Sequence, residues 1–198
     1  MKKFELTTEF ITNALGKKLF RIKALVEFGS VKAGELGGYA EKEENISQDG
    51  NAWVSDNAWV SDNALVFGDA KVSGNARVSG NARVSGNARV SDNARVSDNA
   101  RVSGDALISG NARVSGDAWV SDNADYALVQ GFGTEFRCTT FYRGKNKKIM
   151  VNCGCFHGDL EGFRKQVKET RNGKIAKEYL MIADLMEYHF TSEDSSNE

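Results

Sequence analysis

From residue 51 to residue 123 the apolar positions fall into a strict period of six. Alanine recurs at Ala52, Ala58, Ala64, Ala70, Ala76, Ala82, Ala88, Ala94, Ala100, Ala106, Ala112 and Ala118. A valine stands two places after each of them, from Val54 to Val120, with Ile108 the one aliphatic replacement. Ala-x-Val puts two apolar side chains on one side of an extended segment and x on the other. The intervening Ser-Gly-Asn or Ser-Asp-Asn is turn chemistry, since Gly, Asn and Asp accept the left-handed backbone of a sharp corner. Each hexad therefore predicts one short strand and one corner. Helix is excluded, because six does not match a 3.6-residue period and each hexad carries turn formers. Three residues of strand bury nothing alone, so the hexads must stack.

The flanks follow other patterns. Lys18 to Phe28 alternates, with Phe20, Ile22, Ala24, Val26 and Phe28 on one side, and predicts a half-buried strand. Gly34, Ala40 and Ile46 fall on the alanine register and Leu36 on the valine register. The coil is thus expected to begin irregularly near Gly34, with residues 41–44 looping out. Beyond Ala127 the period is lost. Phe136–Tyr142 and Ile149–Phe156 read as a hairpin around Arg143–Lys147. Asp159 is placed to cap a helix carrying Leu160, Phe163 and Val167 on one face, and Ile175 to Phe190 predicts a second helix. The expected organisation is an N-terminal strand cap and lead-in over 1–45, a hexapeptide solenoid over 46–126, a ββαα unit over 127–190 that either caps the solenoid or stands beside it, and a disordered tail over 191–198.

The phrase V-S-G-N-A-R resembles the hexapeptide repeat of left-handed parallel β-helices, over about 75 residues. The resemblance implies a mainly β fold, a single-stranded left-handed parallel β-helix with three hexads, or 18 residues, per coil. Serine stands where that family favours Gly, Ala, Glu or Asp. GELGGYAEKEENIS and VNCGCFHGDLEGFRKQV also resemble segments found around such repeats in bacteriophage and prophage proteins. That likeness implies an accessory protein that docks on and inhibits a host protein, an anti-defence inhibitor among the possibilities.

With 18 residues per coil, the x positions sort into three outward columns. They read Trp53, Lys71, Arg89, Leu107; then Trp59, Arg77, Arg95, Arg113; then Leu65, Arg83, Arg101, Trp119. Three tryptophans facing outward near the ends predict either packing against the terminal segments or a contact surface. Trp53, Trp59, Trp119 and the arginines at 77, 83, 89, 95, 101 and 113 are the candidate partner-binding residues. The corner residues alternate Asp56, Gly74, Asp92, Gly110 and Asp62, Gly80, Asp98, Gly116, an arrangement expected to supply each arginine with a nearby acid. The Asn57, Asn75, Asn93 column is expected to form an amide ladder.

Charge and composition narrow the function. The net charge is −1 over the chain, and residues 50–125 carry seven Lys and Arg against nine Asp. Net negative charge on the stretch bearing the arginines argues against duplex DNA. No apolar run approaches the roughly 20 residues of a membrane span, and three cysteines fit reduced thiols, so a cytoplasmic location in a bacterial host is expected. Acyl transfer on this architecture would need a positioned base, and residues 1–156 hold no histidine. Cys138, Cys153, Cys155 and His157 suggest a zinc site if the last three share one strand face, but C-x-C-x-H is an unusual spacing and a plain core is the preferred reading. No metal, cofactor or catalytic residue is expected. The reading adopted is a non-enzymatic binding protein with a host protein as partner, with a homodimer through the C-terminal helices in view. The alternatives are a polymer-forming solenoid and, behind it, a hexapeptide acyltransferase.

Overall fold

The computed structural model describes residues 1–191. Most of the tail expected to be disordered lies outside the described residues, and Thr191 itself ends the last helix. The chain opens with β1 (Phe4–Thr12), β2 (Lys18–Ala24) and β3 (Leu36–Ala40). Twelve two-residue strands follow: β4 (Trp53–Val54), β5 (Trp59–Val60), β6 (Leu65–Val66), β7 (Lys71–Val72), β8 (Arg77–Val78), β9 (Arg83–Val84), β10 (Arg89–Val90), β11 (Arg95–Val96), β12 (Arg101–Val102), β13 (Leu107–Ile108), β14 (Arg113–Val114) and β15 (Trp119–Val120). The C-terminal unit comprises β16 (Tyr126–Phe132), β17 (Arg137–Arg143), β18 (Ile149–Cys153), β19 (Phe156–Asp159), α1 (Leu160–Thr170) and α2 (Gly173–Thr191).

The hexads wind into a three-faced parallel β-solenoid. Strands 18 residues apart pair in parallel, Arg95 against both Arg77 and Arg113, and Arg101 against Arg83 and Trp119. Strand and corner N–H groups reach carbonyls of the next coil, as Arg77 N does to Ala94 O at 2.9 Å and Ser79 N to Val96 O at 3.0 Å, while the alanine N–H closes its own corner, as Ala76 N does on Ser73 O at 3.2 Å. From Ala52 to Val120 the alanines and valines of the repeat, with Ile108, are almost wholly buried. Only methyl-sized groups fill the bore, so two small residues per face suffice, and each added coil extends one dry core.

The corner chemistry departs from expectation in an instructive way. Asp56, Asp62, Asp92 and Asp98 take left-handed backbone, with φ between 57° and 60°. Their carboxylates accept from the amide of the glycine one coil on: Gly74, Gly80, Gly110 and Gly116 donate at 2.9, 3.0, 2.8 and 3.1 Å. The aspartates are thus turned to the backbone, and Asp62 pairs with Lys17 as well. Among the described residues none of the six column arginines forms an ion pair with them, contrary to the pairing expected from the alternation. Gly74 cannot readily be Asp as well, because a Cβ there would lie 2.9 Å from Asp92 N. The amide ladder does form, with Asn57 donating to Asn75 and Asn75 to Asn93, both at 3.4 Å.

The coil begins with a two-residue slip. Tyr39 pairs with Trp59, Ala40 with Val60 and Ile46 with Val66, offsets of 20 rather than 18. Ala40 and Ile46 therefore occupy valine positions, not the alanine positions their sequence register suggested. Gly38 fills the alanine position, where a Cβ would meet Ala58 O at 2.4 Å. The excess is absorbed between Ser47, whose N–H reaches Val66 O, and Asn51, whose N–H reaches Gly68 O. Gln48, carried on this extra turn, accepts from Lys3 N at 2.7 Å and donates to Phe4 O at 3.1 Å, fastening β1.

Both ends are closed. β1 and β2 form an antiparallel hairpin that continues one face of the solenoid, giving the sheet order β1-β2-β3-β5-β8-β11-β14. The strand expected from Lys18 to Phe28 stops at Ala24, and Phe28 instead bridges Val31 across a tight turn. β1 is the outer edge and carries an irregularity between Leu6 and Phe10, where Glu9 N turns to Thr7 Oγ1, a feature that discourages a further strand. At the other end Thr140 Oγ1 accepts from Arg113 N at 3.0 Å and Asn152 Nδ2 donates to Arg113 O at 2.8 Å. The C-terminal unit is a four-stranded antiparallel sheet, β16-β17-β18-β19, with two helices, not the two-stranded ββαα unit expected. Tyr142, Leu128 and Met150 close the bore. Phe141 and Val151 join Leu160, Phe163, Tyr179 and Ile182 in a second core beneath α1 and α2.

Lys3 is buried beside the first coil, its ammonium donating to Gly50 O at 3.2 Å and Ala52 O at 3.0 Å. Loss of hydration lowers its pKa to about 8 from 10.5. Between those two values the unfolded chain binds more protons than the folded one, so stability rises with pH through that window. Burial raises Tyr126 to about 12 and raises Tyr142 as well, so stability falls once free tyrosine begins to ionise, above about pH 10. The expected result is a maximum between about pH 9 and 10, with Lys3→Met removing about 1–2 kcal/mol of the rise. Urea midpoints of both proteins across that range check it, and a parent curve that falls steadily from about pH 8 would contradict it.

Candidate functional site

The second face of the solenoid presents one long row. Tyr39, Trp59, Arg77, Arg95 and Arg113 stand side by side on five parallel strands, about 4.8 Å apart. Arg21 on β2 extends the row, because Arg21 pairs with Tyr39 and Nη1 donates to the Tyr39 hydroxyl at 2.8 Å. Two cation–π contacts order its first half, Arg21 over Tyr39 at 5.0 Å and Arg77 over Trp59 at 5.5 Å. Glu9 stands 4.0 Å from Arg21 at the far end. Beyond Arg77 the row holds only arginine. Partial burial, and then Arg77 and Arg113 on either side, pull the Arg95 pKa below its ordinary value. The guanidinium groups of this column are neighbours without a carboxylate between them, and the strands beneath fix their spacing.

The other faces differ. The third carries Leu65, Arg83, Arg101 and Trp119, with Arg101 over the Trp119 ring at 5.6 Å and Trp119 nearly half exposed. Lys145 and Asp117 line a small hollow beside that pair. The first face runs Trp53, Lys71, Arg89, Leu107 and forms the floor of an open groove of about 950 Å³, walled by Ser30, Val31 and Glu35. Asp69 and Asp105 line this groove, so its charge is mixed.

Trp53 leaves the list of contact residues. It is 5% exposed, held edge-on by Phe28 at 5.4 Å and Phe4 at 6.4 Å. The register does turn it outward, but the N-terminal hairpin folds over it. Trp59 is half-buried beneath Arg77, and Trp119 remains open. Tyr39 and Arg21 belong to the row and were not predicted. The 20-residue offset hides Tyr39 from any search at a spacing of 18.

The cysteines are dispersed. Gly154 and Cys155 form a two-residue turn that pairs Cys153 with Phe156 and Asn152 with His157, so Cys153, Cys155 and His157 do not share a strand face. Cys138 precedes Thr139, the residue opposite Cys153, and so points to the other side of the sheet. Among the described residues no group of three His, Cys, Asp or Glu is gathered in a metal-binding arrangement. A cleft of about 200 Å³ between the sheet and the helices is lined by Cys153, Cys155, Arg137, Arg171 and Tyr179. No described helix is long and apolar enough to cross a membrane.

Fold and surface together define the class, a parallel β-solenoid repeat protein with both coil ends closed. Within that class, the family model described as the YdcK Beta solenoid repeat matches residues 70–86, 82–96, 94–108 and 106–122. The match lies wholly inside the regular coils and leaves the first coil and both capping units uncovered. No curated protein matches the chain.

Proposed function

We propose that the protein is a non-enzymatic binding protein that sets its second face against an acidic surface of a protein partner. The observation that supports this reading is the column Arg77, Arg95, Arg113, a row of fixed cations with no carboxylate among them. Holding like charges on adjacent strands costs stability, and a partner's carboxylates would relieve that cost. The scaffold is rigid, so little ordering entropy opposes docking. The narrower version places the partner in the bacterial cytoplasm, as a host protein inhibited by a prophage accessory protein; its support is the likeness of the flanking segments. Acyl transfer would need a positioned base, and the coils hold no histidine for that role. End-to-end polymerisation would have to displace a cap at each end.

The test is capture from a bacterial lysate with the whole chain as bait, read by mass spectrometry. Arg77→Glu/Arg95→Glu/Arg113→Glu is expected to weaken capture by roughly a hundredfold or more, and Arg95→Ala by about tenfold, with unchanged circular dichroism. Capture unchanged by the triple variant would overturn the role of this face.

A further inference from the structure

Two cysteines and two arginines meet in the C-terminal unit, at a place the solenoid and its arginine face do not use. Cys153, Cys155, Arg137 and Arg171 line the cleft of about 200 Å³ between the sheet and the helices. Gly154, with φ of 62°, turns the chain between the two cysteines. A Cβ on Gly154 would lie 2.6 Å from Arg137 Nη1 and 3.3 Å from its Cζ, so the guanidinium lies across the turn that carries both thiols. Arg171 joins it from the end of α1, where its Nη1 donates to Thr170 O at 3.2 Å. Glu135 is the one carboxylate among the lining residues, and among the described residues it forms no ion pair with either arginine. Two cations against one acid draw anions into such a cleft.

We propose that this cleft is a thiol-exchange site, in which Cys155 takes up half of a small disulfide whose carboxylates are held by Arg137 and Arg171. The Cys155 thiol gives its proton to solvent and its sulfur attacks one sulfur of the bound disulfide. A new S–S bond forms to the protein as the old one breaks, and the other half leaves as a thiolate that takes up a proton. The Cys155 sulfur is oxidised and the departing sulfur reduced, so the small disulfide itself is the oxidant. An excess of small thiol runs the exchange backwards, which makes the cap reversible. Exchange depends on access to the attacking sulfur, and this selects among the three cysteines. Cys155 is exposed, whereas Cys153 is half-buried and accepts from Thr139 Oγ1 at 3.1 Å. Cys138 lies outside the cleft, and burial raises its thiol above the ordinary pKa, so less of it is thiolate at neutral pH than of a free thiol.

The test treats the whole, reduced chain with three probes: oxidised glutathione as the anionic disulfide, cystamine as the cationic one and hydroxyethyl disulfide as the neutral one. Intact mass and peptide mapping are expected to place the first glutathione adduct on Cys155, and Cys155→Ser to remove it. In Arg137→Gln/Arg171→Gln the rate with oxidised glutathione relative to cystamine is expected to fall about tenfold, while the rate with the neutral probe stays within about twofold and circular dichroism is unchanged. High salt is expected to bring the parent's preference down toward that of the double variant. A first adduct on Cys153 or Cys138, or a relative rate that the double substitution leaves unchanged, overturns the site. A neutral-probe rate that falls as far as the glutathione rate makes the two arginines structural and overturns their part in holding the anion.

Discussion

Val90→Asp is expected to leave no folded coil at 25 °C. Val90 sits on β10, paired on both sides with β7 and β13, at the middle of the stack. Its side chain is fully buried, and its neighbours in the bore are the aliphatic groups of the repeat. The nearby backbone groups are already paired, Ser91 N with Ile108 O at 2.9 Å and Lys71 N with Ala88 O at 2.9 Å. A carboxylate there has neither water nor a donor. It must be buried unpaired or force the coil open, at a cost of about 4 kcal/mol or more. The position aggravates the loss, since each coil is stabilised mainly by the coils above and below, and breaking a central one separates the remainder. The sigmoidal urea transition followed by circular dichroism should disappear. Arg89→Asp, one residue away but on the outside, is the control and is expected to shift stability by less than about 1 kcal/mol. A Val90→Asp protein that melts within a few degrees of the parent would mean that the bore is not dry.

Where a position in this chain is governed by local period, it could be read from the sequence. Ala94 and Val96 had to point inward whatever the rest of the molecule did, and the 18-residue pairing of Arg95 with Arg77 and Arg113 followed from three hexads per coil. Where one residue had two chemistries open to it, the sequence did not decide. Asp92 could reach a guanidinium or the Gly110 amide, and the left-handed corner, which aims its carboxylate along the stack, gives it to the amide. Ala40 and Ile46 were misread, and Tyr39 was missed, because two extra residues around Gln48 reset the register, and a turn insertion has no periodic trace. Trp53 faces outward by register yet is buried, because Phe4 of the N-terminal hairpin and Phe28 just beyond it cover the indole. The fourfold strand order of the C-terminal unit was half visible: Phe141 and Val151 announced strands, but the Gly154–Cys155 turn split one expected strand into two. The unbroken guanidinium row emerged only once the corner aspartates were seen to be engaged elsewhere.

Trp53→Ala is expected both to destabilise the protein and to change how it associates. The indole is the large side chain between the N-terminal hairpin and the outside of the first coil, gripped by Phe4 and Phe28 and set against Gly37, where a Cβ would lie 2.6 Å from Cζ2. Removing it costs about 3–5 kcal/mol by the precedent of buried aromatic truncations. The loss falls on one seam, between the β1–β2 hairpin and the first coil. The hairpin is held besides by the Gln48 contacts to Lys3 and Phe4, by the Lys3 ammonium on Gly50 O and Ala52 O, by the Lys17–Asp62 ion pair and by the β2–β3 ladder. Once that seam loosens, the backbone edge of β3 loses its cover, and an exposed parallel edge on a stack of identical coils is a template for another chain. Light scattering should therefore show open-ended growth with concentration, growth the parent lacks, together with a lower urea midpoint and loss of the most blue-shifted tryptophan emission. Trp53→Phe should recover most of the stability and abolish the growth, because a smaller ring still plugs the seam. If Trp53→Ala were as stable as the parent and equally monodisperse, the hairpin would be an ornament on the coil and not its stopper. If the parent itself grew without limit, capped ends could not be what keeps one solenoid from continuing into the next.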